Sequence, residues 1–339
     1  MPPREGAGSS EPRAGSGCLA LGPQGIGARR RATAGWRRAP PLARVWPPTP
    51  ALPFMVRTLI PITLFAIMFA LGIGLTGEAV SLIRRRPALL IRVVLGSCLL
   101  VPLAALLLLH LPISQALSPP VRFAIALMAL CPSAPLALRK SARQGGDGEL
   151  AALLQVLAAL VAIVTVPLMG DVFRVSYDVV GWDIDHREVA AQVAKAQVLP
   201  LLLGLGLGRW RPDLAARLRG PLERIANALL LALVVLVLVV TAPHLLPFLA
   251  GNLLALPFMA LMVLLSLAIG WLMDHRDTRE RISTSLVTAM RNPGLALLLA
   301  TTYAGELRGL KLGILLYVLI TLLVSAPFLR WSRRLAGAA

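Results

Sequence analysis

The chemistry of this chain starts with one arginine. Arg291 stands in Ala289-Met290-Arg291-Asn292-Pro293-Gly294, inside an otherwise apolar stretch. A guanidinium at the centre of a membrane helix costs about 2.5–3.5 kcal/mol on insertion scales, so it must face a cavity or a partner. No Asp or Glu lies inside a long apolar run; Glu78, Glu149 and Glu306 come nearest, at run ends. Two roles are open. The planar fork of donors suits a carboxylate or sulfate, and it can equally satisfy carbonyls freed by a broken helix. Pro293-Gly294 supplies such a break. A second break lies at Leu130-Cys131-Pro132-Ser133-Ala134-Pro135, where two prolines remove two backbone donors. Irregular backbone at membrane depth survives only where protein or a water-filled cavity satisfies it. One interrupted span in each half of a chain points to a transporter site between inverted repeats. The alternative is two unrelated proline kinks. Pro132, Pro135, Pro293 and Gly294 are therefore the helix-breaking residues, and Arg291, Asn292, Thr288 and Ser133 are candidate substrate-binding residues.

The elements that must position these breaks are membrane spans. The chain has 339 residues, 57% of them hydrophobic and 15% charged, with a formal charge of +18. A typical soluble domain is about 45–50% apolar and about 25% charged. A span needs about 20 mainly apolar residues. Nine candidates follow, at about 57–76, 88–109, 121–138, 150–169, 193–208, 226–242, 252–273, 283–303 and 311–329. This is an all-α integral membrane protein, with the lipid bilayer as its first partner. The basic residues cluster between spans and alternate in side: 18 against seven from Met55 onward, Arg291 aside. The positive-inside rule then predicts a multi-pass protein of the plasma or inner membrane, N-terminus outside and C-terminus cytoplasmic. The same clustering argues against nucleic acid as a partner.

Residues 1–54 differ in kind. They are rich in Gly, Pro, Ala and Arg and hold no apolar run long enough for a signal peptide. The expectation is a disordered basic extension, untranslated if Met55 is the start; a transit peptide is the alternative. Residues 55–330 form the transporter domain and 331–339 a cytoplasmic tail. The outer loop from Gly170 to Gln192 is acidic and reads as a solvated face. No metal-binding spacing occurs, and four histidines are too few for a zinc cluster.

The chain resembles the bile acid:sodium symporter family. Phe69-Ala70-Leu71-Gly72-Ile73-Gly74-Leu75-Thr76 is similar to that family's Phe-Gly-Met-Gly-Leu-Thr-Leu-Thr signature. Cys131-Pro132-Ser133-Ala134-Pro135, with Ala142 and Gly146-Asp147 after it, resembles its Cys-Pro-Gly-Gly-Thr-Ala-Ser-Asn segment. Met290-Arg291-Asn292-Pro293-Gly294-Leu295-Ala296 resembles Met-Gln-Asn-Ser-Gly-Leu-Ala. Pro87 and Pro167 also match, and the resemblance runs from Met55 to about Arg330. It implies a panel domain (spans one, five and six) and a core domain, with two broken helices crossing at spans three and eight. The departures carry as much information. The family's sodium-binding Ser-Asn pair falls on Ala137 and Leu138, later Ser and Thr ligands on Ala151 and Gln155, a Glu on Val287, a Gln on Ser97 and another on Arg291. Hard cations need several oxygen ligands. The resemblance therefore adds Gln155 and Ser97 as candidate substrate-binding residues lining an emptied sodium region. It also suggests that Arg291 takes the electrostatic role of a bound sodium.

The reading that follows is a secondary transporter of small or amphipathic organic anions, working by alternating access, with sodium coupling doubtful and no cofactor. A protein proton relay looks poor because no buried Asp, Glu or His is available. The alternatives are a sodium-coupled symporter with relocated sites and a non-transporting receptor on the same fold. An enzyme is not expected, since no carboxylate pair or metal motif is central.

Overall fold

The structure is a computed structural model and describes residues 54–133, 141, 145–177, 186–274, 277–304 and 307–338. Pro135, Ala137, Leu138, Glu306, residues 178–185 of the acidic loop and residues 1–53 lie outside the described residues.

Among the described residues all regular structure is helical. In order these are α1 (Phe54–Gly74), α2 (Gly77–Arg85), α3 (Pro87–Leu95), α4 (Val101–His110), α5 (Pro119–Leu130), α6 (Gly148–Tyr177), α7 (His186–Val193), α8 (Leu199–Trp210), α9 (Pro212–Ala250), α10 (Ala255–Leu272), α11 (Thr278–Ala289), α12 (Pro293–Tyr303) and α13 (Leu310–Ala338). Two π-turns, Gly96–Leu100 and Ala194–Val198, join α3 to α4 and α7 to α8 without ending the span. Proline opens α3, α5, α9 and α12, where its missing N–H is one the helix leaves unpaired anyway. Elsewhere side chains cap: Thr76 Oγ1 accepts from Ala79 N at 3.1 Å and Asp147 Oδ1 from Leu150 N at 3.0 Å.

Six helices are long and apolar enough to cross a membrane: Pro87–His110, Gly148–Ser176, His186–Trp210, Pro212–Ala250, Ala255–Leu272 and Leu310–Leu335. A seventh is the pair Thr58–Gly74 and Gly77–Arg85, bent by 76°. The expected spans three and eight are not on this roster for a physical reason. Each is cut, leaving α5 with 12 residues and α11 and α12 with 12 and 11. Other boundaries moved outward. The acidic loop is shorter than expected because α6 runs on to Tyr177 and α7 begins at His186. Helix α13 continues to Ala338, through residues assigned to a tail.

Helix α1 packs against α8 and α9. The contact with α8 is backbone on backbone. A Cβ on Gly72 would lie 2.2 Å from Leu201 O, and one on Gly204 would lie 2.2 Å from Phe69 O. Small residues are how membrane helices approach closely, where water supplies no hydrophobic drive between them. On the other side α13 packs on α5 and α10, and α10 packs on α11. The arginine-rich helix ends gather at one end of the bundle, where Arg86 Nη2 meets Glu280 Oε1 at 3.3 Å and Arg279 Nε donates to Gly145 O at 3.2 Å.

Candidate functional site

Each break frees specific carbonyls, and the chain says which. In a helix the N–H of residue i bonds the carbonyl of residue i−4. Pro132 has no N–H for Met128 O, which keeps only a shared bond from Cys131 N at 3.3 Å. Ser133 turns to a φ of 36° and leaves Ala129 O. At the other break Pro293 has no N–H to continue the ladder, and Asn292 N donates across to Cys131 O at 3.1 Å, leaving Thr288 O. The third source is the π-turn before α4. There the register is i to i−5, with Val101 N on Gly96 O. Pro102 cannot make the next bond, so Ser97 O is free.

Arg291 collects all four. Its Nε donates to Met128 O at 3.2 Å, and Nη2 donates to Ala129 O. Nη1 donates to Ser97 O at 3.1 Å, Ser97 Oγ at 3.0 Å and Thr288 O at 3.3 Å. The side chain is buried, at 2% exposure. The guanidinium thus sits where the negative ends of α5 and α11 converge. Converging carbonyls make a cation site, and here the cation is part of the chain. This is the carbonyl-capping role of the two foreseen for Arg291.

The remaining candidates divide. Asn292 caps α12, its Oδ1 accepting from Leu295 N at 3.1 Å. Thr288 and Ser97 touch Arg291 as described. The Ser133 and Thr288 hydroxyls and the Asn292 amide nitrogen are buried without a hydrogen-bond partner. Gln155 sits elsewhere: it lines a cavity of about 600 Å³ that opens at the arginine-rich end. Ile67, Ala70, Leu71 and Gly74 of α1 and Ala226 and Asn227 of α9 form one wall. Ala152 and Gln155 of α6, with Asp147 and Glu149, form the facing wall. Arg291 is not among the lining residues.

Several charged groups at the cavity mouth, Arg219, Glu223, Asp277 and Arg279 among them, look like ordinary interspan charges in the sequence. Glu149 accepts a hydrogen bond from Thr76 Oγ1 at 2.5 Å, and Arg219 pairs with Glu223 at 3.3 Å. Asp277, Arg279 and Asp147 complete the rim. The expectation of no buried carboxylate also needs correction. Asp274 and Glu280 are 2% and 8% exposed. They escaped notice because they lie just outside the apolar runs; Glu280 pairs with Arg86. Burial pushes the Glu280 carboxyl up from its ordinary value; Arg86 opposes this and Asp274 adds to it.

Long apolar helices, two interrupted helices joined at their breaks and a cavity open at one end define a multi-pass helical membrane protein. The signature of the sodium bile acid symporter family matches residues 61–248. That is more than half of the chain, and the chain belongs to this family. The match ends before the second break, so Arg291 lies beyond it. The family consists of sodium-coupled membrane transporters and not enzymes. No curated protein matches the chain.

Proposed function

We propose that this chain is a secondary transporter of small or amphipathic organic anions that works without a bound sodium ion at its crossing. The observation that carries the reading is the Arg291 guanidinium among Met128 O, Ala129 O, Ser97 O and Thr288 O. A permanent cation holds the site that a mobile one would need. The site as built does not fit sodium while the guanidinium is there. Arg291 contributes positive potential at the crossing, and the substrate's anionic group approaches it from the cavity side past Gln155, Asn292 and Ser133. Nine spans are proposed, with α5 and the α11–α12 pair as the broken ones in inverted repeats. Helices α1, α8 and α9 form a panel that rocks against the rest. The arginine-rich end is cytoplasmic by the positive-inside rule. Trp271, Phe328 and Trp331 cluster there with Arg281 stacked 3.9 Å over Trp271, as amphipathic side chains do at a membrane interface. The cavity is then open inward.

A second reading keeps sodium. The buried Ser133 and Thr288 hydroxyls have no partner, and hydroxyl oxygens are hard ligands. One experiment separates the two. Ligand binding raises apparent stability by mass action. The purified chain is heated with a panel of organic carboxylates and sulfonates, in sodium and in potassium buffer. Equal stabilisation in both salts supports the sodium-free site. Stabilisation in sodium alone replaces it with the coupled symporter.

A further inference from the structure

The cavity ends short of a second set of buried polar groups. Along α1 its wall is the stripe Gly74, Leu71, Ala70 and Ile67. Thr63 is the next position on that face, one turn beyond Ile67. Its hydroxyl is buried at 1% exposure and has no hydrogen-bond partner. Gln197 lies in the π-turn Ala194–Val198, which packs on both α1 and α6. It too is 1% exposed, and its amide nitrogen is unpartnered. Gln155, on α6 at the cavity's inner end, is 1% exposed with both amide atoms unpartnered. Three elements that pack on one another therefore each present an unsatisfied polar group.

Folded chains rarely leave such groups unpaired. Each buried orphan costs about 1–3 kcal/mol. Packing alone would favour Val and Leu here, as at the neighbouring positions. The π-turn adds to the case. Pro200 cannot close the i to i−5 bond onto Lys195 O, the same device that frees Ser97 O through Pro102. π-turns recur at functional sites.

We propose that Thr63 and Gln197 are substrate-contacting residues, forming with Gln155 a ring of uncharged donors between the panel and the core. A hydroxyl and two carboxamides offer hydrogen bonds to one carboxylate or sulfonate. In the state described here the seam over them is closed; in the opposite state they line the outer half of the path. This rests on the transporter reading above and adds the panel-side half of its site.

The test is cysteine accessibility in the full chain, reconstituted in vesicles, with the three native cysteines replaced by alanine. Thr63→Cys, Gln197→Cys and, as a cavity-wall reference, Ala70→Cys are each treated from either side with membrane-impermeant sulfonatoethyl methanethiosulfonate. Ala70→Cys reacts from the arginine-rich side. Thr63→Cys and Gln197→Cys react from the opposite side, at least about tenfold above the background of the cysteine-free parent. If Ala70→Cys reacts and the other two stay silent from both sides, this inference is overturned and the transporter reading stands. If Ala70→Cys is silent as well, both fall. A second measurement guards against a purely structural role. Thr63→Val and Gln197→Leu remove an unsatisfied atom, so their thermal midpoints match or exceed the parent's; a lowered midpoint would show that these groups are structural and overturn the proposal.

Discussion

Replacing Arg291 by alanine turns the tethered cation into an empty cation site. Ala129 O, Ser97 O and Thr288 O lose their donor at once, and Met128 O keeps only Cys131 N at 3.3 Å. A buried acceptor left unpaired costs about 1–3 kcal/mol. Water reaching the hole keeps each near the low end, so the loss over three carbonyls is about 3 kcal/mol. The same four carbonyls can then bind a free ion. A ligand at one hundred times its Kd returns about 2.7 kcal/mol. Thermal midpoints of the purified parent and of Arg291→Ala are therefore compared in sodium, potassium, N-methylglucamine and dilute methylguanidinium chlorides. The parent is indifferent to the cation. The variant is less stable everywhere and recovers most with methylguanidinium, which restores the lost donors. Arg291→Lys falls between, because an ammonium keeps the charge but not the fork. A variant as stable as the parent, or one equally unstable in every salt, refutes the cation-site account.

Three further outcomes follow from the geometry. Ser133 holds a φ of 36°, a region that strains a non-glycine residue by about 1–3 kcal/mol; Ser133→Gly raises the unfolding free energy by about 1 kcal/mol, read from denaturant or thermal midpoints. Gly204→Val drives a side chain into Phe69 O, where even a Cβ would stand at 2.2 Å; separating α1 from α8 costs upwards of about 4 kcal/mol and shows as loss of monodisperse protein on size exclusion. Glu280 has a folded pKa above its ordinary value of 4.5. The folded state then binds its proton more tightly than the unfolded state does. Its contribution is therefore favourable at low pH and declines as pH rises from about 4.5 towards the raised value. Glu280→Gln removes that decline, which midpoint against pH measures directly.

Six spans were legible because apolar length is a one-dimensional property. Both breaks were equally legible, since proline announces the bond it cannot make. What the breaks do to each other was not. That Asn292 N reaches Cys131 O depends on two helices 161 residues apart crossing at the same depth. Arg291 stood out by its cost, and its two roles could be written down from residue type. Only the placement of Ser97 O, freed by a π-turn that no local pattern reveals, decided which carbonyls it serves. Gln155 was grouped with Arg291 by family resemblance, and it lines the cavity instead. Asp274 and Glu280 were missed because burial outside an apolar run leaves no hydropathy signal. Thr63 and Gln197 were missed because a lone hydroxyl or amide in a span reads as tolerated polarity until its want of a partner is known.

A cation that belongs to the chain never crosses the membrane with the cargo. In a symporter, co-transported sodium cancels the charge of an organic anion and lends the sodium gradient's energy to uptake. If Arg291 takes that place, as proposed, a monoanion crosses with one uncompensated negative charge. At 100 mV, negative inside, that charge is worth about 2.3 kcal/mol, which is roughly a fifty-fold bias in the equilibrium distribution. The bias favours the outside. On the proposed reading, exchanging one mobile ion for a fixed guanidinium turns a fold associated with accumulation into one that, left to the membrane potential, empties the cell of its substrate.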